Sequence, residues 1–160
     1  MRGVSIYCDG GVRGNGKENN LGAWAYTVEI DRDLYSNSKV VINTTNNIME
    51  MTACIEALKS LDDYDLQVTI QTDSSYLLQG ATNWIINWKK NDWMRGVNKD
   101  QPVLNKELWQ ELDELCSKFA KVEWVKIKGH SGNHGNELVD AMVNKVMDEY
   151  LEKEGGLNVN

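Results

Sequence analysis

The chain has 160 residues, 41% of them hydrophobic, with one proline, enough for one domain with its own core and too ordered in composition for extended disorder. Its net charge of −7 argues against a broad, charge-driven grip on a phosphate backbone. The start MRGVSIYCDGG lacks an apolar signal core, and no stretch has the apolar length of a membrane span. A soluble intracellular protein is expected. Its three scattered cysteines, Cys8, Cys54 and Cys116, read as small buried hydrophobes, not as a disulfide framework or a zinc site.

Residues 4–9 alternate Val4, Ile6, Cys8 against Ser5 and Tyr7, which predicts a strand running into a glycine-rich turn at Gly10. Residues 22–30 and 34–43 give two more strands, separated by the charged turn Asp31-Arg32-Asp33, so the first three form an antiparallel meander. Thr45 then offers an N-cap to a helix over 46–60, with Ile48, Met51, Ile55 and Leu58 on one face. A fourth strand covers 66–72 and short helices cover 74–78 and 82–90, followed by a loop over 91–101. Leu104, Leu108, Leu112, Leu115 and Phe119 mark a helix over 104–119. A fifth strand at 122–127, a glycine loop at 128–135 and a helix over 136–152 complete the order, with a frayed tail at 154–160. The expectation is an α/β fold: a five-stranded mixed sheet, three strands antiparallel and two parallel, flanked by helices in one domain over 1–153.

Four acids stand at unusual places. Asp9 and Asp73 each end a predicted strand, and sites in open α/β sheets gather at the carboxyl ends of strands. Glu50 lies one turn into the first long helix beside Met51, and Asp140 lies between Val139 and Met142 in the last. Taken singly, Glu50 and Asp140 read as dipole-complementing residues on solvated helix faces. Taken together, closely packed carboxylates repel unless a cation sits among them. Four carboxylates form a hard oxygen set suited to Mg²⁺ or Mn²⁺, and two such ions can clamp a phosphodiester. His130, in the loop Lys128-Gly129-His130-Ser131-Gly132, could shuttle a proton or be a surface histidine; spacing leaves both open.

Several ordered segments carry a resemblance: Tyr7-Cys8-Asp9-Gly10, Thr45-Asn46-Asn47-Ile48-Met49-Glu50, Thr72-Asp73-Ser74, Trp84-Ile85-Ile86-Asn87-Trp88-Lys89-Lys90, Trp124-Val125-Lys126 with Gly129-His130-Ser131-Gly132, and Asn136-Glu137 with Asp140. Over nearly the whole chain the sequence resembles type 1 ribonuclease H. The resemblance implies a ribonuclease H-like fold and an endonuclease that hydrolyses the RNA strand of an RNA–DNA hybrid, leaving a 5′-phosphate and a 3′-hydroxyl. It implies two Mg²⁺ ions, with Mn²⁺ a possible substitute, held by Asp9, Glu50, Asp73 and Asp140, with His130 assisting turnover. It further implies that Gly10 and Glu50 read the 2′-hydroxyl, that Asn15, Asn46 and Asn47 touch the minor groove, and that Thr45 meets a DNA phosphate. Residues 84–99 match the family's basic protrusion: Lys89, Lys90, Arg95 and Lys99 oppose one acid, Asp92, an excess of three positive charges in an acidic chain. There Trp84, Lys89 and Lys90 would handle the DNA strand while Trp88 packs inward.

The chain departs from the family in having Ser75 where a glutamine is common and Ala141 where an acid is frequent. A monomeric, cytoplasmic enzyme without an obligate protein partner is expected. The competing expectation is a nucleic-acid-binding module of the same fold without efficient catalysis; the presence of all four acids favours the enzyme.

Overall fold

A computed structural model describes residues 2–14, 16–128 and 133–158, without the side chains of 155–158. In chain order the elements are β1 (Gly3–Arg13), β2 (Leu21–Ile30), β3 (Asp33–Ile42), α1 (Asn46–Lys59), β4 (Gln67–Thr72), α2 (Ser75–Gln79), a π-helical turn (Gly80–Trp84), α3 (Ile85–Lys90), the two-residue strands β5 (Met94–Arg95) and β6 (Gln101–Pro102), α4 (Lys106–Lys118), β7 (Lys121–Lys126) and α5 (His134–Asn158). The main sheet has the order β3-β2-β1-β4-β7. β1 and β2, and β2 and β3, pair antiparallel; β4 lies parallel to β1, and β7 parallel to β4. This is the expected mixed sheet, with β1 at its centre.

Period-two alternation divides the side chains of β1 between two layers. Val4, Ile6 and Cys8 join Val68 and Ile70 of β4 beneath Met51, Cys54 and Leu58 of α1 and the fully buried Trp109 of α4. On the other face Tyr7, Ala23 and Ala25 meet Val139, Val143 and Met147 of α5. The sheet is thus sandwiched between α1 with α4 and α5. The cysteines are free; Cys8 and Cys54 are buried, and Cys116 is half-buried. Burial, with the nearby Asp113 charge, pushes the Cys116 thiol up to about 12. Among the described residues no helix is long and apolar enough to cross a membrane.

The structure corrects the sequence expectation at four points. β1 does not turn at Gly10; it pairs with β2 as far as Arg13 opposite Leu21. Gly10 serves a close approach instead, because a Cβ there would stand 2.5 Å from the backbone nitrogen of Glu50. The helix expected over 82–90 begins earlier and passes through the π-helical turn, where a Cβ at Gly80 would enter the Trp109 indole. The loop at 91–101 contains the β5–β6 pairing. Finally, α5 starts at His134 and continues to Asn158, past the expected tail boundary.

Candidate active site

The central position of β1 and its parallel pairing with β4 decide what meets at the carboxyl ends of these strands. With Tyr7 opposite Gln71, the two chains advance together, and Asp9 emerges beside Asp73. Asp73 sits between the last residue of β4 and the N-cap of α2. Thr72 Oγ1 accepts from Ser74 N at 3.0 Å, and Ser74 Oγ accepts from Leu77 N at 3.1 Å. The third acid arrives on α1. Thr45 caps that helix, its hydroxyl accepting from Ile48 N at 3.1 Å, and one turn later Glu50 points at β1, where Gly10 N–H donates to Glu50 Oε1. The glycine that lets α1 approach also supplies a bond to its acid.

Asp9, Glu50 and Asp73 each present an oxygen within 4.8 Å of the others. Asp9 and Glu50 retain only 7% and 8% of their surface, so water does little to separate their charges. Burial pushes the Asp9 carboxyl up to about 7; the charges of Asp73 and Asp140 add to this, while hydrogen bonds from Glu50 and Gly10 oppose it. Glu50 is held well above its usual range by burial, then by the charge of Asp9 and their shared hydrogen bond. In the metal-free protein the pair therefore retains a proton near neutral pH. Among the described residues no lysine or arginine forms an ion pair with any of the three. An all-oxygen set, two of its members buried and none ion-paired to a cationic side chain, fits a hard divalent cation.

Asp140 stands outside this three-residue ring, half-buried on α5. Its charge nevertheless reaches Asp9. Its helix is seated where Gly135 lies against the Tyr7 ring and Val139 and Val143 enter the core. Arg13, at the end of β1, bonds to Asp148 at 2.7 Å and to Asn144 Oδ1 at 3.3 Å, tying α5 to the strand that carries Asp9.

The expected substrate contacts are placed separately. Thr45, Asn46 and Asn47 are exposed at the N-terminus of α1, the electropositive end of that helix. Trp84 is 37% exposed, whereas Trp88 is half-buried against Trp109, with ring centroids 5.5 Å apart. Trp88 thus packs inward against the core without being fully buried. Lys89 and Lys90 are exposed, but Lys89 is engaged by Asp113 of α4 at 3.0 Å, which reduces the positive charge this segment offers. Asn15 and His130 lie outside the described residues. The sequence reading missed Trp109, the fully buried indole under the tryptophan-rich segment; it lies between Leu108 and Leu112, and the leucine spacing masked it. It also missed Lys126, whose ammonium donates to Asp73 O and to Ser75 Oγ, both at 2.7 Å.

The RNase H family profile matches residues 1–148. The chain belongs to the ribonuclease H family. It is 41% identical over 151 residues to the ribonuclease H of Clostridium botulinum, covering 94% of this chain and 99% of that one. It is 44% identical over 149 residues to the ribonuclease H of Hydrogenovibrio crunogenus, covering 93% and 98%. Among solved structures it is similar to LC9-RNase H1, described as a type 1 RNase H with the type 2 active-site motif, at 30% identity and a TM-score of 0.77 over 93% of this chain and 74% of that one. A foamy viral protease-reverse transcriptase in complex with dsDNA shares the fold, with a TM-score of 0.77 at 18% identity over 92% of this chain and 95% of that one. The chain is therefore a ribonuclease H enzyme of a metal-dependent family, and its acidic cluster is the group of described residues that could hold a metal.

Proposed function

We propose that this ribonuclease H cleaves the RNA strand of RNA–DNA hybrids with two Mg²⁺ ions, leaving 5′-phosphate and 3′-hydroxyl ends, and that Mn²⁺ can replace Mg²⁺. The observation that carries this reading is the convergence of Asp9, Glu50 and Asp73 within 4.8 Å, the first two buried and the third half-buried. Asp9, Glu50, Asp73 and Asp140 hold the ions. Bound divalent cations supply charge stabilisation at the scissile phosphate and a more acidic water. Glu50 and the backbone at Gly10 also face the 2′-hydroxyl, the donor-acceptor group that separates RNA from DNA. Asn15, Asn46 and Asn47 line the minor groove, and the α1 N-terminus with Thr45 takes a phosphate of the DNA strand. Trp84 and Lys90 extend that grip, with Lys89 contributing less because of Asp113. His130 moves a proton during turnover. The enzyme acts as a cytoplasmic monomer; its free cysteines suit a reducing compartment.

The test compares Mg²⁺-dependent cutting of a labelled RNA–DNA hybrid with cutting of single-stranded RNA, double-stranded RNA and duplex DNA. Hybrid-only cleavage with 5′-phosphate products is expected. Equal cutting of double-stranded RNA, or metal-independent cutting, would refute the reading. In the same assay His130→Ala should slow turnover far less than Asp9→Asn does, and an equal loss would make His130 a ligand or a structural residue.

A further inference from the structure

Asp73 has to be aimed by a short turn. It follows the last residue of β4 and precedes a helix of five residues, so neither element extends far on its own account. The neighbouring strand supplies the missing restraint. β7 pairs in parallel with β4, placing Lys126 opposite Thr72. Ile127 N donates to Thr72 O at 2.8 Å, which fixes that register at its end. From there the Lys126 side chain crosses the turn, and its ammonium donates both to the carbonyl of Asp73 and to the hydroxyl of Ser75. One side chain thus ties the backbone of the acid's own residue to the first residue of α2, two positions later. The short Ser75 hydroxyl gives the lysine a partner at 2.7 Å.

We propose that Lys126 is a positioning residue: by clamping the turn between β4 and α2 to β7, it fixes the Asp73 carboxylate in the acidic cluster. The proposal rests on the reading of that cluster as the metal site. Electrostatics alone works in the opposite direction. A lysine near a cation site repels the incoming cation, so removing its charge should strengthen Mg²⁺ binding. Loss of the clamp should weaken it, because a carboxylate free to leave the cluster must be reordered when the ion enters. The sign of the change separates the two roles.

The experiment is calorimetric titration of the full chain with Mg²⁺ alone, in wild type, Lys126→Met, Lys126→Arg and Ser75→Ala, with thermal melting and hybrid kinetics alongside. Lys126→Met is expected to weaken Mg²⁺ binding by about five- to tenfold, the size of one ordinary net hydrogen-bond contribution. Its hybrid KM should stay within about twofold of wild type and its fold should be intact. Lys126→Arg, which can reach the same two acceptors, should recover most of the binding, and Ser75→Ala should lose less than Lys126→Met. Unchanged or tighter Mg²⁺ binding in Lys126→Met overturns the positioning role. So does a raised hybrid KM with normal Mg²⁺ binding, which would make Lys126 a substrate contact. If the wild-type chain itself binds no Mg²⁺, the metal-site reading fails first and the proposal with it.

Discussion

Two groups of acids lie at opposite ends of the sheet, and their surroundings differ. At the amino ends of β1 and β4, Asp31 and Asp63 share the guanidinium of Arg2, which donates to Asp31 from Nε at 2.8 Å and to Asp63 from NH1 at 3.3 Å. Side chains there are open to water, with 51% of the Arg2 surface exposed. At the carboxyl ends, Asp9 and Glu50 are shut away with Asp73 beside them, and among the described residues no cationic side chain is ion-paired to any of the three carboxylates; the Lys126 ammonium meets the backbone carbonyl of Asp73. The first group is complete as it stands. The second is held together by burial and a shared proton. Proximity of carboxylates alone therefore does not identify a metal site; the informative feature is their crowding without compensation in a place water hardly reaches.

The largest effect should come from removing one crowded charge. Asp9→Asn is expected to lower hybrid cleavage by at least about a thousandfold. In the metal-free protein at pH 8 it should raise stability by about 1–3 kcal/mol, because a buried repulsive charge is gone. Activity assays and thermal melts on the same sample check both. Wild-type cutting, or a destabilised variant, would remove the distinction between the two ends.

A second effect is on pH. The folded-state Asp9 carboxyl titrates near 7, above its unfolded value. Its contribution to stability is thus fully present below the ordinary carboxylate range and is lost as pH rises through about 7. Chelator-treated protein should lose on the order of 2–4 kcal/mol between pH 5 and pH 8 from this source. Saturating Mg²⁺ should flatten the profile, since the ion takes over the proton's role. Denaturant melts across that range, with and without Mg²⁺, make the comparison.

The smallest effect should come from the opposite end. Arg2→Ala should leave cleavage within about twofold of wild type, and any lost stability should fade at high salt, as for an exposed ion pair. A collapse in activity would show that the two ends are coupled.

Much of this arrangement was legible in the sequence because it follows from periodicity and order. Alternation along residues 4–9 and 66–72 gave the two strands, and a parallel pairing of neighbours brings their terminal aspartates together. The resemblance then supplied Glu50, whose role its place beside the apolar stripe left open. What stayed hidden depended on contacts across the chain. Gly10 looked like a turn residue because glycine serves both turns and close packing, and only the position of α1 distinguishes them. Trp109 lay inside a convincing leucine pattern. The Lys126 tie to Asp73 spans 53 residues and exists only because β7 pairs with β4 in one register. The positive excess over residues 84–99 was legible as composition, but the pairing of Lys89 with Asp113 was not.

The account depends most on the three crowded carboxylates exchanging their proton for a divalent ion. Calorimetric titration with Mg²⁺ at pH 6 and pH 8, each in two buffers of different ionisation enthalpy, measures binding and proton release together. Saturable binding is predicted, with more protons released at pH 6 than at pH 8, and both should be lost in Asp9→Asn. Absence of binding, or binding by Asp9→Asn equal to that of wild type with the same proton release, would contradict it.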